Sequence, residues 1–379
     1  MLHFKDPSKL RTKKIVFEDV YCSQDSGTLE QLKELSSKRL NVESINENNS
    51  ITDATAREMS GGLTSQYEQN VQKLQLYLPL LENLVQHVDT IGDHSKLINW
   101  TSDLKIRWTS PLSSSPFFNL ITGPRFFQID NLHFELAMVF FFYGAIIREW
   151  ASQVLTTDLV QSASLFRKAA GIYHYLGHEI LPCLQQLLTP EGPPEASSSL
   201  SSVMTFVCLA EAQIVTIMKA EEKRTADGLL SKLHYGVVQL LDEALVFLSK
   251  ATKECKVISP NLMEYISCCK VVHELRSYKY MAQGLKNDGE IGSGIGVLQL
   301  AVKRNKSNNF GGMESWRVVI KEEIDGVREL LRKFEYENEF VWREKVPFEE
   351  DLPVVQGRKI VTCIDYNPQK WERNIAFKI

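Results

Sequence analysis

Over most of the chain, apolar residues recur at spacings of three and four, the spacing that places them on one face of an α-helix. Tyr67, Val71, Leu74, Leu80, Leu81, Leu84 and Val88 predict a long amphipathic helix over 63–89, with Pro79 as a kink point. A second helix is expected over 130–154. A third runs over 157–187, behind the cap candidates Thr157 and Asp158. Further helices are expected at 200–223, 226–252, 260–286, 288–304 and 313–336, with shorter ones at 29–39 and around Trp100 in 97–104. The join at Asn287–Gly289 makes 260–286 and 288–304 an antiparallel hairpin of tetratricopeptide size, although no strict 34-residue repeat is present.

Period-two alternation is confined to the ends. "KKIVFEDVY" has strand character within an extended segment over 1–28, and "NEFVWREKVP" and "GRKIVTCIDYNP" read as extended pieces over 337–379. "PLSSSPFFNLITGPRFF" (111–127) reads as a loop, and "TPEGPPEASSSLSS" (189–202) as an exposed linker. No domain-sized polar linker divides the helical body, 63–336. The expectation is therefore one domain over 1–379: mainly α, elongated, with a few short strands at the chain ends.

The longest uncharged apolar run, Leu136 to Ile147, is too short for a membrane span, which needs roughly 20 residues. It is expected to be a buried helix. A net charge of −4 argues against a dedicated nucleic-acid binder. The 7 cysteines show no CxxC pair and no zinc-type spacing, so buried free thiols in a reducing compartment are expected. "MLHFKDPSKLRTKK" has no apolar stretch of the secretory type, and Leu2 is not the glycine that myristoylation requires.

The candidate chemistry is thin. "GSGIG" (292–296) lacks the Lys-Ser/Thr of a phosphate loop and reads as a turn opening the next helix. His174 and His178 lie one helical turn apart, but no third metal ligand stands in pattern with them. No nucleophile elbow, kinase signature or Cys/His pair appears, so an enzyme would have to use an unrecognised pocket. No catalytic residue, cofactor or metal is expected.

The richest feature is the helix pair 200–223 and 226–252, joined by "EEKRTADG" and expected to pack antiparallel. In the first helix, Val203, Phe206, Val207, Ala210, Ile214, Ile217 and Met218 can face a core. Cys208, Ala212, Val215 and Thr216 then lie on the other side, with Lys219 one turn beyond. The second helix carries two apolar stripes. One contains Leu230, Val237, Leu241 and Leu248; the other contains Leu229, Leu233, Gly236 and Leu240. A helix with two stripes is either buried on two sides or keeps one stripe for a partner's amphipathic helix.

"LAEAQIVTIMKA" (209–220) followed by "GLLSKL" (228–233) resembles the central hairpin of the BRO-one domain family. "INWTSDL" (98–104), "SLFRKAAGIYHYL" (164–176) and "ENEFVWREKVP" (337–347) resemble further family stretches, in the right order. In size the chain is similar to the single-domain members. The resemblance implies a curved, banana-shaped helical body with a tetratricopeptide-like core and extended segments packed along it. It also implies a non-enzymatic adaptor of endosomal sorting, acting in multivesicular body sorting or membrane remodelling. Its implied partner is the C-terminal amphipathic helix of an ESCRT-III subunit, of the Snf-seven or charged multivesicular body protein four type. Carried over residue by residue, the docking patch falls on Thr216, Lys219, Leu229 and Leu233. Thr216 replaces the Phe of some members, so that contact is expected to be weaker. Replacing Leu233 by Asp is expected to remove binding with the fold mostly intact. Other family members suggest a small GTPase or a cytoskeletal linker as alternative partners. A curved body could also present Lys232, Lys250, Lys253 and Lys270 to an anionic membrane, although sequence alone does not cluster them in space and the net charge is negative. The chain ends "NIAFKI", so no CaaX lipid anchor is expected.

Overall fold

The helical periodicity is realised as ten α-helices among the described residues. The computed structural model describes residues 1–46, 65–92, 94–114, 125–184, 187–305, 313–369 and 373–379. Helices α1 (Ser26–Glu43), α2 (Gln66–Ile91) and α3 (Ser95–Asp103) precede a two-stranded antiparallel ribbon, β1 (Arg107–Thr109) with β2 (Phe126–Gln128). Then follow α4 (Leu132–Val154), α5 (Leu159–Tyr175), α6 (Ser198–Glu222), α7 (Asp227–Glu254), α8 (Pro260–Asn287), α9 (Ile291–Arg304) and α10 (Glu314–Glu337).

Local chemistry sets the boundaries. Asp158 caps α5 by accepting from the Val160 and Gln161 amides. Ser259 caps α8, with Pro260 in its first turn. Gly289, at φ +88°, makes the left-handed turn between α8 and α9. Pro79 is accommodated inside α2.

From α4 to α9 each helix packs on its sequence neighbour, and α10 closes on α8 and α9. Helix α4 is buried almost all round, as the run Leu136–Ile147 predicts. Two ionic knots stitch the amino-terminal layers to this body. Glu135 of α4 accepts from Arg39 of α1 (2.5 Å), Tyr77 of α2 (3.1 Å) and Trp108 of β1 (2.7 Å). Arg148 of α4 bonds Glu211 of α6 (2.7 Å) and the Phe4 carbonyl (2.5 Å), and Tyr265 of α8 donates to the same carboxylate (2.6 Å). With both charges buried, removing one partner strands the other, so these pairs act as geometric constraints more than as sources of net stability.

Several expectations change. "KKIVFEDVY" forms no strand; Ile15 and Phe17 are buried in an irregular segment whose Thr12 makes one bridge to Trp108. The strand pair lies instead around the 111–127 loop, whose residues 115–124 fall outside those described. Helix α5 stops at Tyr175 and continues as a wide turn, Leu176–Ile180, and a tight one, Leu181–Leu184. The stretch over 189–202 is exposed only at Thr189–Glu191: Pro194–Ala196 is a buried turn and α6 starts at Ser198. Glu195 explains this, because it accepts from the Ser110 hydroxyl and the Leu112 amide. Burial pushes its carboxyl up to about 7. The glycines of "GSGIG" lie inside α9 rather than in a turn before it.

After α10 the chain turns back, and its described residues run largely extended over the helices, with one short turn at Glu349–Asp351. The Arg358 amide bonds the Lys232 carbonyl on α7 (2.8 Å). The Ile364 amide bonds the Arg167 carbonyl on α5 (3.1 Å). Tyr366 packs on Phe140 of α4, and Phe377 on Tyr21 and Trp100. Glycines mark this path where backbone meets helix. A Cβ on Gly171 of α5 would overlap the Ile364 carbonyl, and one on Gly236 of α7 the Arg358 carbonyl.

Gly171→Ala should therefore cost about 1–3 kcal/mol and lower the melting midpoint. Gly326→Ala, in α10 with nothing near the added methyl, should stabilise by up to about 1 kcal/mol. Paired thermal melts read both signs, and equal shifts would refute the contact.

Candidate partner-docking hairpin

Helices α6 and α7 form the antiparallel hairpin expected from sequence, closed by a turn in which Arg224 takes a left-handed conformation (φ +54°). Gln213 sets its register. Buried in α6, it donates to the Leu233 carbonyl on α7 (2.7 Å) and to the Arg358 carbonyl on the carboxy-terminal strap (3.0 Å). Its own oxygen accepts from the Ile360 amide (3.1 Å). Three residues up α6 and three down α7, Thr216 stands level with Leu229 and Leu230. Lys219 lies one turn further, towards the closing turn.

The four predicted site residues differ in accessibility. Thr216 is half-buried, its hydroxyl returned to the Ala212 carbonyl (2.9 Å). Leu229 is half-buried against the main core. Lys219 pairs with Glu222 (2.7 Å) at the surface, an interaction of little net worth. Leu233 is only 4% exposed. It is a core residue, so the expectation that Leu233→Asp would leave the fold mostly intact is corrected. Cys208, Ala212 and Val215, assigned to the outer face of α6, are also fully buried. The reason is common to all: α6 is sandwiched between α5 and α7, and the strap crosses α6 and α7 at Gln213 and Gly236. Among the described residues, α6 is the one helix long and apolar enough to cross a membrane, yet most of that stretch is buried in the fold.

A cleft of about 870 Å³ opens beside the hairpin turn, lined by Glu221, Arg224, Asp227, Lys232, Tyr280 and Val355 among others. Glu221 accepts from Tyr280 (2.8 Å) and faces His234 Nε2 at 3.6 Å. The facing His234 imidazole, with the Tyr280 hydroxyl, holds the Glu221 carboxyl below its usual range. Behind it, His234 of α7 and His273 of α8 share an Nδ1–Nδ1 hydrogen bond of 2.9 Å. Burial lowers both imidazoles; His273, also facing His234 and Arg276, lies well below the ordinary value. Sequence reasoning missed Gln213 and this histidine pair. The one signal for Gln213 was an uncharged polar residue in the middle of a very apolar helix.

The other candidates do not assemble a site. The His174 and His178 rings lie 4.1 Å apart, tilted by 40°, with His178 Nδ1 against the His174 carbonyl. Among the described residues no group of three His, Cys, Asp or Glu side chains is placed to hold a metal. All seven cysteines are free; Cys208, Cys255, Cys268 and Cys269 are buried, whereas Cys22 and Cys183 are exposed.

The family model of the BRO1-like domain matches residues 33–378. The chain belongs to the BRO1-like domain family. Human BROX, a BRO1 domain-containing protein, is 25% identical over 72% of this chain and 67% of its own length. Programmed cell death 6-interacting protein of Xenopus laevis is 22% identical over 76% of this chain. The match spans only 32% of that relative's length. Among solved structures, an ALIX BRO1–CHMP4C complex superposes with a TM-score of 0.66 at 17% identity, covering 94% of both chains. A Bro1 domain described as the basis for endosomal targeting gives a TM-score of 0.66 at 16% identity, covering 98% of this chain and 93% of its own. This BRO1-like domain thus shares the elongated helical fold of its relatives.

Two outcomes follow for the hairpin. Leu233→Asp should bury an unpaired carboxylate and cost about 3 kcal/mol or more of stability, seen as a lower urea midpoint. Keeping His234 and His273 neutral contributes stability that is complete above their unfolded value of about 6.5 and is lost as pH falls below it. Urea unfolding at pH 7.5 and 5.5 should show a larger acid loss for the wild-type protein than for His273→Gln. Equal losses would remove the pair from the pH response.

Proposed function

We propose that this domain is a non-enzymatic adaptor of endosomal sorting that docks the C-terminal amphipathic helix of a charged multivesicular body protein four-type ESCRT-III subunit. On this reading it resides in the cytoplasm and is recruited to endosomal membranes. Family membership supports a scaffold rather than a catalyst. The observation that carries the partner is the fold likeness to an ALIX BRO1 domain solved with CHMP4C, together with a hairpin that keeps a mixed apolar and cationic edge.

Docking on this hairpin would use what α6 and α7 leave accessible. Leu229 offers a half-exposed aliphatic anchor, Thr216 a small neighbouring contact, and Lys219 a cation at the rim. Leu233, one turn further along α7, belongs to the core. Arg224 and Lys232, exposed at the same end and lining the adjoining cleft, add positive charge for acidic residues flanking the partner's apolar stripe. The binding energy of such a groove rests on a few anchors, so the small Thr216 side chain limits affinity.

A peptide titration tests this. Wild-type protein should bind C-terminal helix peptides of this ESCRT-III class. Leu229→Asp should weaken binding by about 1–3 kcal/mol while lowering the melting midpoint far less than Leu233→Asp does. Thr216→Phe should tighten it by about 1 kcal/mol, through added apolar area at a half-exposed position. Absence of binding to every peptide of the class would overturn the reading.

A further inference from the structure

The most exposed apolar cluster of the described residues lies far from the hairpin in sequence, where α10 ends. Tyr336, in its last turn, packs against Phe340 with ring centroids 4.7 Å apart and planes tilted by 45°. The chain then makes a wide turn, Asn338–Trp342, and reverses. Phe340, Val341 and Trp342 follow one another in that turn at 60%, 70% and 46% exposure. Phe348, equally open, lies beneath the Lys345 ammonium at 5.5 Å. Scattered exposed apolar residues are ordinary, but three consecutive bulky ones at a chain reversal are a liability unless they have a use.

The turn is held by backbone and side-chain hydrogen bonds. The Arg343 amide bonds the Asn338 carbonyl (2.7 Å). The Asn338 side chain bonds the Glu344 carbonyl and accepts from the Glu344 amide, both at 2.9 Å. The Glu344 carboxylate in turn bonds the Gly292 amide of α9 (2.8 Å). Arg343 itself sits in the left-handed region, φ +58°, which is unfavourable for a residue with a Cβ. Backbone strain is thus retained to point an apolar tip outwards.

The surrounding charges say what the tip meets. Carboxylates of this segment are mostly engaged with the body: Glu335 with Gln299, Glu337 with Lys286, Glu344 with Gly292, and Glu349 with Lys303. Among the described residues, Arg343 and Lys345 are exposed and form no ion pair, and at the turn only Glu339 opposes them. Glu350 and Asp351 lie further along. Of the lysines first considered for membrane contact, Lys250 and Lys270 are instead paired with Glu254 and Asp242. Aromatic side chains beside free cations at a projecting tip match a lipid interface, where rings settle among headgroups and cations meet phosphates.

We infer that the Phe340–Trp342 turn is a membrane-inserting tip, flanked by Arg343 and Lys345 as phosphate contacts. Its occupant is a phospholipid surface. It works independently of the α6–α7 hairpin, so the domain holds a membrane at one place and a protein helix at another.

Vesicle flotation tests this with two compositions, phosphatidylcholine alone and phosphatidylcholine doped with phosphatidylserine. Wild-type protein should partition onto both, more strongly with phosphatidylserine. Phe340→Ser with Trp342→Ser should reduce partition about tenfold or more on both, with an unchanged melting midpoint. Arg343→Asn with Lys345→Gln should lose only the phosphatidylserine increment, because asparagine tolerates the left-handed backbone. A control carrying Lys250→Gln and Lys253→Gln should partition like the wild type. If the double serine variant proves unstable, Val341→Ser alone makes the same comparison. Equal partition of wild type and tip variants, or no partition of the wild type, overturns the proposal. So does self-association in sedimentation that the tip variants abolish while vesicles are ignored; that outcome would assign the tip to a second copy of the chain.

Discussion

Gln213 is a primary amide buried inside a helix, and both of its ends are bound to other chain segments. Left unpaired at that depth, the amide would cost several kcal/mol. Here it binds one carbonyl of α7 and a carbonyl and an amide of the carboxy-terminal strap. The strap has no neighbouring strand at this crossing, so helix side chains and helix carbonyls must satisfy its inward-facing backbone groups. The same contact fixes the α6–α7 register and pins the strap to the hairpin. Gly236 lets the strap backbone approach α7 closely enough for these bonds to form.

This constraint decides which surfaces remain open. With the strap over Gly236, the second apolar stripe of α7 is covered by the chain itself through Leu233 and Leu240, and only its end at Leu229 stays accessible. Two apolar stripes on one helix were therefore mostly a sign of burial on two sides. The edge left for a partner is small and lies beside a cleft, a charged turn and a buried pair of neutral histidines. At the far end the strap begins at the Asn338–Trp342 turn, whose bonds to α9 keep the tip projecting.

Much of the fold was legible because its signals are local. Caps such as Asp158, the three-and-four spacing of apolar residues, and Gly289 at a turn act within a few residues of one another. Each survives in a bare sequence. The stretch over 189–202 misled because serine, proline and glycine look like solvent-exposed loop, whereas Glu195 binds Ser110 and Leu112 from a distant part of the chain. "GSGIG" misled similarly: its glycines are small so that the Lys345 carbonyl and Leu352 can pack on α9, and no turn is formed there. Of the candidate site, the hairpin and its two stripes were visible, but the accessibility of Leu233 was not.

Sequence alone thus determined most of the helices, their order, the α6–α7 and α8–α9 hairpins and the family likeness. Tertiary structure alone decided the course of the strap, the burial of Leu233 and Val215, the meeting of His234 with His273, and the outward projection of Phe340, Val341 and Trp342. The difference is physical. Helical periodicity and capping are short-range interactions that each segment carries with it. Burial is a property of what covers a residue, and here much of the cover is an aperiodic segment from more than a hundred residues away in the chain.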